Sequence, residues 1–439
     1  MVPSHREFAS LHGRKWRNNH LPDTKEVTIR GIQWSTVMSE AITRVVVVGG
    51  GTGGTLAVNL LAKSLRREVR SGHVSISLVS GSDTHAFQPG YLHIAFSDTR
   101  PEDIIREERT LLRREISLIQ QDARRIDLKT KEIVLASGQT IPYDFIIIAT
   151  GSVADLDAIP GLRETALTFH TSAEESLRIR DALDEFEGGH IVIGIAGVPH
   201  KCPPSPNEAA FLLDDYLRMK RIRDKVKITF ITPYPRAYPS EPMSRIIQPL
   251  FERRDIKCLT FFNIDRVDQT EREVRSLEGK SVKFDMLILV PPHRGADVIV
   301  KSGIGDADGW IRTDRYSMRI VGYADAYAIG DATDIPIAKT GVAAHLEARV
   351  AVNNIVSTVR CESNTYTYSG RTNCPFEVGS GKATFVVGSY DMPVKQMYPN
   401  RVRYAMKKGF SHIYWQTLSG GWDWLFGMYF GKTCLKSET

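Results

Sequence analysis

The sequence predicts an α/β protein built on two Rossmann-like dinucleotide-binding units, the first of them discontinuous, followed by an aromatic-rich C-terminal region. Three observations carry this reading. The run Val45–Val48 enters the turn Gly49-Gly50-Gly51-Thr52-Gly53-Gly54, a full G-x-G-x-x-G. A second apolar run, Ile191–Ile195, opens a similar unit, but its turn continues Ala196-Gly197-Val198-Pro199-His200-Lys201-Cys202-Pro203-Pro204. Two further strand ends carry glycine, at Ala149-Thr150-Gly151 and Ile329-Gly330-Asp331.

In chain order, residues 1–40 carry scattered arginine and lysine with little periodicity and are expected to form a flexible extension; Met38 is a second possible start. The strand at 44–48 leads into a helix through Leu56, Leu60, Leu61 and Leu65, and Val74–Val79 returns as a strand, completing a β-α-β unit. Residues 101–114 read as one helix with Pro101 in its first turn. Residues 116–141 alternate as strands, and Asp144–Gly151 is a buried strand ending in a glycine turn. The second unit starts at Ser172 with a helix to Phe186. Strand 190–195, the Cys202 loop, a helix at Asn207–Arg218, strand Lys227–Thr232 and the run Met286–Val290 complete it. The chain then passes Asp325–Asp331 into a helix at Val342–Val359. The domains are therefore expected at 1–40 (extension), 41–152 with 295–360 (first unit), 153–294 (second unit) and 361–439 (C-terminal region).

Composition narrows the function classes. The 439 residues are 42% hydrophobic and 25% charged, ordinary for a globular protein of two or three domains. A net charge of +6 fits either simple solubility or an anionic membrane surface. No nucleic-acid-binding signature is present. No apolar run approaches the roughly 18 residues of a membrane span, and no signal-peptide core is seen. Cys202, Cys258, Cys361, Cys374 and Cys434 are too few and too scattered for a secreted disulfide framework, and without a C-x-x-C no metal site is expected. A functional cysteine pair must be assembled by the fold.

The glycine turn points to a dinucleotide. Gly49 permits the tight turn, Gly51 lets backbone approach a pyrophosphate, and Gly54 lets helix and strand pack closely, with Thr52 and Gly53 at the helix N-terminus facing the phosphates. The acidic residue that would bind ribose is absent: Ser80 stands at the end of the second strand, with Asp83 the nearest carboxylate. Ala149-Thr150-Gly151 and Gly330-Asp331, the latter placed for a ribityl chain ahead of a helix, favour FAD at this first site. The second turn has His, Lys, Cys and Pro where a nicotinamide site needs glycine. Its electron donor is therefore expected to act through a cysteine rather than as NAD(P)H.

Six motifs together resemble the sulfide:quinone oxidoreductase family, over residues 42–430: Gly49–Gly54; Phe87-Gln88-Pro89-Gly90; Ala149–Gly151; Lys201-Cys202-Pro203-Pro204-Ser205-Pro206-Asn207-Glu208; Gly330-Asp331 with Lys339-Thr340-Gly341; and Cys374-Pro375-Phe376-Glu377. The resemblance implies the disulfide-oxidoreductase flavoprotein fold, FAD, sulfide as donor and a membrane quinone as acceptor. It also implies that Cys202 and Cys374 form a redox pair at the flavin. Hydrosulfide would attack a bridge between them, leaving a persulfide on one cysteine while the other thiolate passes two electrons to the flavin. Cys202 is expected to take the sulfane sulfur and Cys374 to form the flavin adduct. Glu208 is read either as a proton acceptor for sulfide or as a complement to its helix dipole. His200 is read as lowering the Cys202 thiol pKa or as a solvated loop residue. Lys339 is a candidate to stabilise anionic reduced flavin. The chain departs from the family in having no third cysteine at 152–172, and in offering only tyrosines at 233–238 where many members have a histidine.

At the C-terminus, Phe410, Ile413, Tyr414 and Leu418 fall at helical spacing, as do Trp422, Leu425, Phe426, Tyr429 and Phe430, with a break at Ser419-Gly420-Gly421. Two short aromatic helices bordered by Lys407, Lys408 and Lys432 suggest an interfacial membrane anchor, or else a core-facing or dimer surface. The resemblance places the quinone here, with Phe376, Phe385, Phe410 and Tyr414 as candidate rings and Lys407 or Lys408 as the candidate lysine. The expected setting is a peripheral membrane protein on the cytoplasmic side, with a lipid surface as partner and a homo-oligomer as a further possible assembly.

Overall fold

The computed structural model describes residues 42–421 and the backbone of 435–437. The chain starts with β1 (Thr43–Val48), turns through Gly49–Gly51 into α1 (Thr52–Ser64), and returns as β2 (Val74–Val79). Strands β3 (Ser117–Ile119) and β4 (Phe145–Ile148) add to the same sheet. The chain then leaves through helix α2 (Ala173–Glu185), whose cap Ser172 accepts a hydrogen bond from the Glu175 amide. It builds a second sheet from β5 (Gly189–Ile195), α3 (Ser205–Met219), β6 (Val226–Ile231), α4 (Glu241–Arg253), β7 (Ile256–Leu259) and β8 (Met286–Val290). It returns to the first sheet with β9 (Ala326–Ala328) and the long helix α5 (Gly341–Val359). A hairpin, β10 (Thr372–Glu377) and β11 (Ala383–Gly388), precedes helix α6 (Arg401–Leu418).

The first sheet has the order β9-β4-β1-β2-β3 and the second β7-β6-β5-β8, every pairing parallel. Parallel strands covered on both faces read as continuous apolar runs, and β1 obeys this. Val45 and Val47 enter the core shared with α1 and α5, while Val46 and Val48 enter a separate core on the opposite face. This mixed α/β architecture with Rossmann-like sheets is the fold class the sequence predicts.

Three expectations change. Residues 101–114 are not one helix. They break into Pro101–Ile104, a strand at Ile105–Glu107 paired with Thr84–Ala86, and a turn of helix at Glu108–Leu111. Tertiary pairing overrides local propensity here, because breaking the helix sends the Glu108 carboxylate inward to Thr55 and His85. The second unit also holds α4 and β7 and an antiparallel sheet at 264–283, none of which the sequence announced clearly. Finally, α6 is a single helix of 18 residues, capped by Asn400 and ending at the expected break. Of its predicted stripe, Tyr414 and Leu418 are buried, while Phe410 and Ile413 are half-buried. The Leu418 carbonyl accepts from Asn59 Nδ2 of α1 at 2.9 Å, so this end of the stripe faces the core. The second stripe, Trp422 to Phe430 with Lys432, and the extension at 1–40 lie outside the described residues. Among the described residues, no helix is long and apolar enough to cross a membrane.

Candidate active site

The site lies where two helix N-termini and two loops converge on one cleft. Gly51 caps α1 with no side-chain capping bond, so its first amides face the cleft with no internal partner. Close backbone approach requires glycine at two of these positions. A Cβ on Gly49 would lie 2.4 Å from the Ala149 carbonyl oxygen, and one on Gly54 would lie 1.8 Å from the Gly49 carbonyl oxygen. A Cβ on Gly51 would meet nothing within 4 Å, leaving that face open. Gly53, Ala149, Gly151, Gly330, Asp331, Lys339 and Gly341 also border the cleft. Thr150, a predicted contact, is not among the residues that border it. The bare helix end of α1 and the open glycine face fit a dinucleotide held along the cleft.

Two predicted cofactor contacts are engaged within the protein. Ser80 is buried under the glycine turn and donates to the Ser82 carbonyl at 3.0 Å, so it does not border the cleft. Lys339 borders the cleft, but its ammonium is spent on the carbonyls of Asp331 (3.1 Å) and Thr333 (2.6 Å) and sits over the Trp310 ring. Lys201, which the sequence did not single out for a role, also lines the cleft and donates to Gln88 Oε1 at 2.9 Å.

Cys202 precedes α3 with a left-handed backbone (φ 52°), a conformation that costs a non-glycine residue roughly 1–3 kcal/mol and is retained where surroundings enforce it. Its amide donates to the Lys339 carbonyl at 2.7 Å, and its carbonyl accepts the Ser205 amide at 2.9 Å. Cys374 stands in β10 opposite Val386. Both cysteines are free thiols that line the cleft, and each acts on the other's ionisation. The neighbouring Cys374 thiol pulls the Cys202 pKa down to about 7, helped by Ser205 and the Lys407 charge, and burial opposes it. Cys202, together with burial, pushes the Cys374 thiol well up. Of the pair, Cys202 is therefore the thiol that ionises first. Tyr238, fully buried beside both sulfurs, is held protonated by burial and by their charge.

The two cysteines meet because α3 and β10 are tied behind them. The Glu377 amide donates to Glu208 Oε1 at 3.3 Å, and Lys407 of α6 is ion-paired with Glu208 and, at 3.3 Å, with Glu377. Burial pushes the Lys407 ammonium down to about 7 and the Glu377 carboxyl up. Glu208 is thus part of a buried ion cluster, not a free base or a lone dipole complement. His200 is neither solvated nor a charge on Cys202: burial holds its pKa at about 4, so the ring is neutral. Of the candidate quinone residues, Lys407, Phe410 and Tyr414 border the cleft. Phe376 is fully buried behind it against Tyr238 and Phe211, Phe385 is buried in β11, and Lys408 lies over Tyr404. Among the described residues, no group of His, Cys, Asp and Glu is placed to hold a metal ion.

The family model for pyridine nucleotide-disulphide oxidoreductases matches residues 43–351. The chain belongs to that family. FAD is the cofactor of its flavoproteins, and the cleft described above fits it. The chain is similar to the mitochondrial sulfide:quinone oxidoreductase of Dictyostelium discoideum, 24% identical over 410 residues, covering 90% of this chain and 88% of that relative. It is similar to the sulfide-quinone reductase of Aquifex aeolicus, 27% identical over 406 residues, covering 86% of this chain and 91% of that one. The X-ray structure of the Aquifex aeolicus sulfide:quinone oxidoreductase has the same fold, with a TM-score of 0.80 at 22% identity, covering 90% of this chain and 98% of that one.

Proposed function

We propose that this protein oxidises sulfide to sulfane sulfur through Cys202 and Cys374 and passes two electrons to a membrane quinone. The observation that carries the reading is the pairing of two cysteines, distant in sequence, in a dinucleotide cleft whose second unit lacks nicotinamide-binding glycines. FAD, when bound, supplies the two-electron acceptor between the pair and the quinone.

The protein's own part is to hold the two sulfurs together in the cleft. In the oxidised pair, hydrosulfide forms a bond to one sulfur, which becomes the persulfide, and the other leaves as thiolate with the bonding electron pair. The Lys407–Glu208–Glu377 cluster, with Lys407 near neutrality, receives the proton when sulfide arrives as undissociated hydrogen sulfide. Phe410 and Tyr414 offer aromatic faces to a quinone ring at the α6 side of the cleft, and the C-terminal aromatic segment beyond α6 is the lipid contact that brings the protein to its acceptor.

The test is anaerobic bleaching of the bound flavin by sulfide, with NADH as the alternative donor and a short-chain quinone to restore colour. Bleaching by sulfide alone supports the reading. Bleaching by NADH, or none by sulfide, overturns it.

A further inference from the structure

The carboxylate that breaks the 101–114 segment belongs to a buried polar chain that the mechanism above does not use. Glu108 and His85 are both buried. His85 Nδ1 lies 3.2 Å from Glu108 Oε2, and the Thr55 hydroxyl donates to Glu108 Oε1 at 2.7 Å. His85 Nε2 lies 2.8 Å from the Tyr414 hydroxyl, which in turn lies 2.8 Å from Thr52 Oγ1. Thr52 and Tyr414 border the cleft, whereas His85 and Glu108 stand behind them. Trp415 packs against His85 in a T-shaped contact, with ring centroids 5.8 Å apart. Among the described residues, the hydrogen-bonded route from the buried pair to the cleft runs through Tyr414 and Thr52. A buried carboxylate and imidazole add little stability over apolar side chains of the same volume, so stability alone does not account for this pair.

Counting protons gives the chain two states. Glu108 as a carboxylate only accepts, so His85 Nδ1 carries a proton and donates it. With the ring neutral, Nε2 is a bare acceptor. Tyr414 then donates to Nε2, and the Thr52 hydroxyl donates to the Tyr414 oxygen. With a second proton on the ring, both hydroxyl bonds reverse. Nε2–H donates to the Tyr414 oxygen, Tyr414 donates to Thr52 Oγ1, and the Thr52 proton turns out to the cleft. The two states differ by one proton, and the added charge rests beside the Glu108 carboxylate.

We propose that Glu108, His85, Tyr414 and Thr52 form a proton relay that supplies one of the two protons a quinone takes up on becoming a quinol. The proposal rests on the quinone reading above, in which the acceptor ring lies against Tyr414, and deepens it. When two electrons reach the quinone, one of its oxygens forms an O–H bond with the Thr52 proton. Thr52 takes the Tyr414 proton, and Tyr414 takes the proton on His85 Nε2. The imidazolium becomes a neutral imidazole, and Glu108 stays a carboxylate throughout. The other quinol proton is the one that the Lys407 cluster, at the same cleft, received from hydrogen sulfide. A solvent proton entering by the emptied cleft reloads His85 along the reverse path. Thr52 is the group that touches the acceptor; His85 and Glu108 act through the two hydroxyls.

The test uses no sulfide. FAD-loaded protein is reduced with stoichiometric dithionite and mixed anaerobically with a short-chain quinone or with ferricyanide, and return of the flavin absorbance is timed. Ferricyanide takes electrons without protons. His85→Phe keeps a ring against Tyr414 and Trp415 but carries no proton. It is expected to slow reoxidation by the quinone about a hundredfold, the lower end of what general acid catalysis contributes, and to leave reoxidation by ferricyanide at the wild-type rate. Glu108→Gln is expected to do the same, because a neutral amide does not hold an imidazolium. A wild-type rate with the quinone in His85→Phe overturns the proposal. So does equal slowing with both acceptors, which would make His85 a packing residue. Should His85→Phe lose its fold or its FAD, the same two outcomes in Glu108→Gln decide. Wild-type protein that ferricyanide reoxidises and the quinone does not would remove the quinone reading and this inference with it. Wild-type protein that the quinone reoxidises at a rate both variants match would remove this inference alone.

Discussion

The turn from β1 to α1 and the turn from β5 to α3 occupy equivalent places in two parallel sheets, yet they present opposite chemistry. The first crosses from strand to helix in Gly49–Gly51 and leaves the helix amides bare, a cradle for a bound anion. The second takes Ala196–Pro204 to make the crossing and fills its own helix end, with Cys202 in front and Glu208 buried in the first turn. A helix N-terminus favours negative charge whatever its source. Glycine gives that preference to a cofactor phosphate. Proline, cysteine and glutamate give it to the protein's own thiolate and carboxylate. The same β-α connection becomes a cofactor site or a sulfur site according to whether backbone or side chain occupies the helix mouth.

The comparison can be broken from either side. Cys202→Ser or Cys374→Ser is expected to slow sulfide-driven flavin bleaching by at least about a thousandfold while FAD stays bound, since the sulfur nucleophile is gone and the glycine turn is untouched. Normal bleaching in either variant would remove the sulfur role from the second turn. In the first turn, Gly54→Ala is expected to give protein purified without FAD, because its Cβ would overlap the Gly49 carbonyl; flavin absorbance of the purified protein decides this. Gly197→Ala is the control in the second turn. Its Cβ would meet the Pro292 ring at 3.2 Å, a contact a small movement relieves, and FAD content is expected to be unchanged.

Two finer measurements sharpen the contrast. The rate of sulfide-driven bleaching is expected to rise as pH rises through about 7, following the Cys202 thiolate. Lys407→Met removes a cation that favours that thiolate, so the midpoint should move up. The rate should fall roughly tenfold for each pH unit the midpoint rises, on the acid side only, and the loss should vanish at high pH. A loss that is equal at all pH values would mean that Lys407 acts otherwise. The smallest expected effect is at Tyr414, whose hydroxyl is hydrogen-bonded to Thr52 of the glycine turn and to His85, each at 2.8 Å. Tyr414→Phe should weaken FAD binding by about 1 kcal/mol, roughly fivefold in Kd, measured by flavin fluorescence titration.

Much of the fold was legible because parallel strands and glycine turns are local signals. Val45–Val48, Gly49–Gly54, Ile146–Ile148 and Ile191–Ile195 each declare their structure within ten residues. The segment at 101–114 was not legible, since nothing in its own periodicity says that Glu108 will be drawn in by Thr55 and His85. The site divides the same way. Cys202 and Cys374 stand out by the motifs around them. Lys201 and Glu377 lie inside those motifs but show a role only by what they touch, as does Tyr238. Glu377 did carry a faint signal, a charged residue closing an otherwise apolar Cys374–Phe376 strand end. Phe376 and Phe385 were placed at the quinone by the family resemblance, but they lie on opposite faces of the hairpin, and both faces are covered.

What the sequence determined by itself is the set of local conformations: which runs become strands, where glycine is required, and which helix ends have bare amides. These depend on sterics and hydrogen bonding over a few residues. The tertiary structure alone decided which distant groups share a proton or a charge. Glu208, Glu377 and Lys407 come from three elements, and only their packing sets Cys202 against Cys374 and makes Cys202 the more acidic of the two. Ionisation depends on burial and on neighbours within a few ångströms, and those are properties of the folded interior rather than of any stretch of chain.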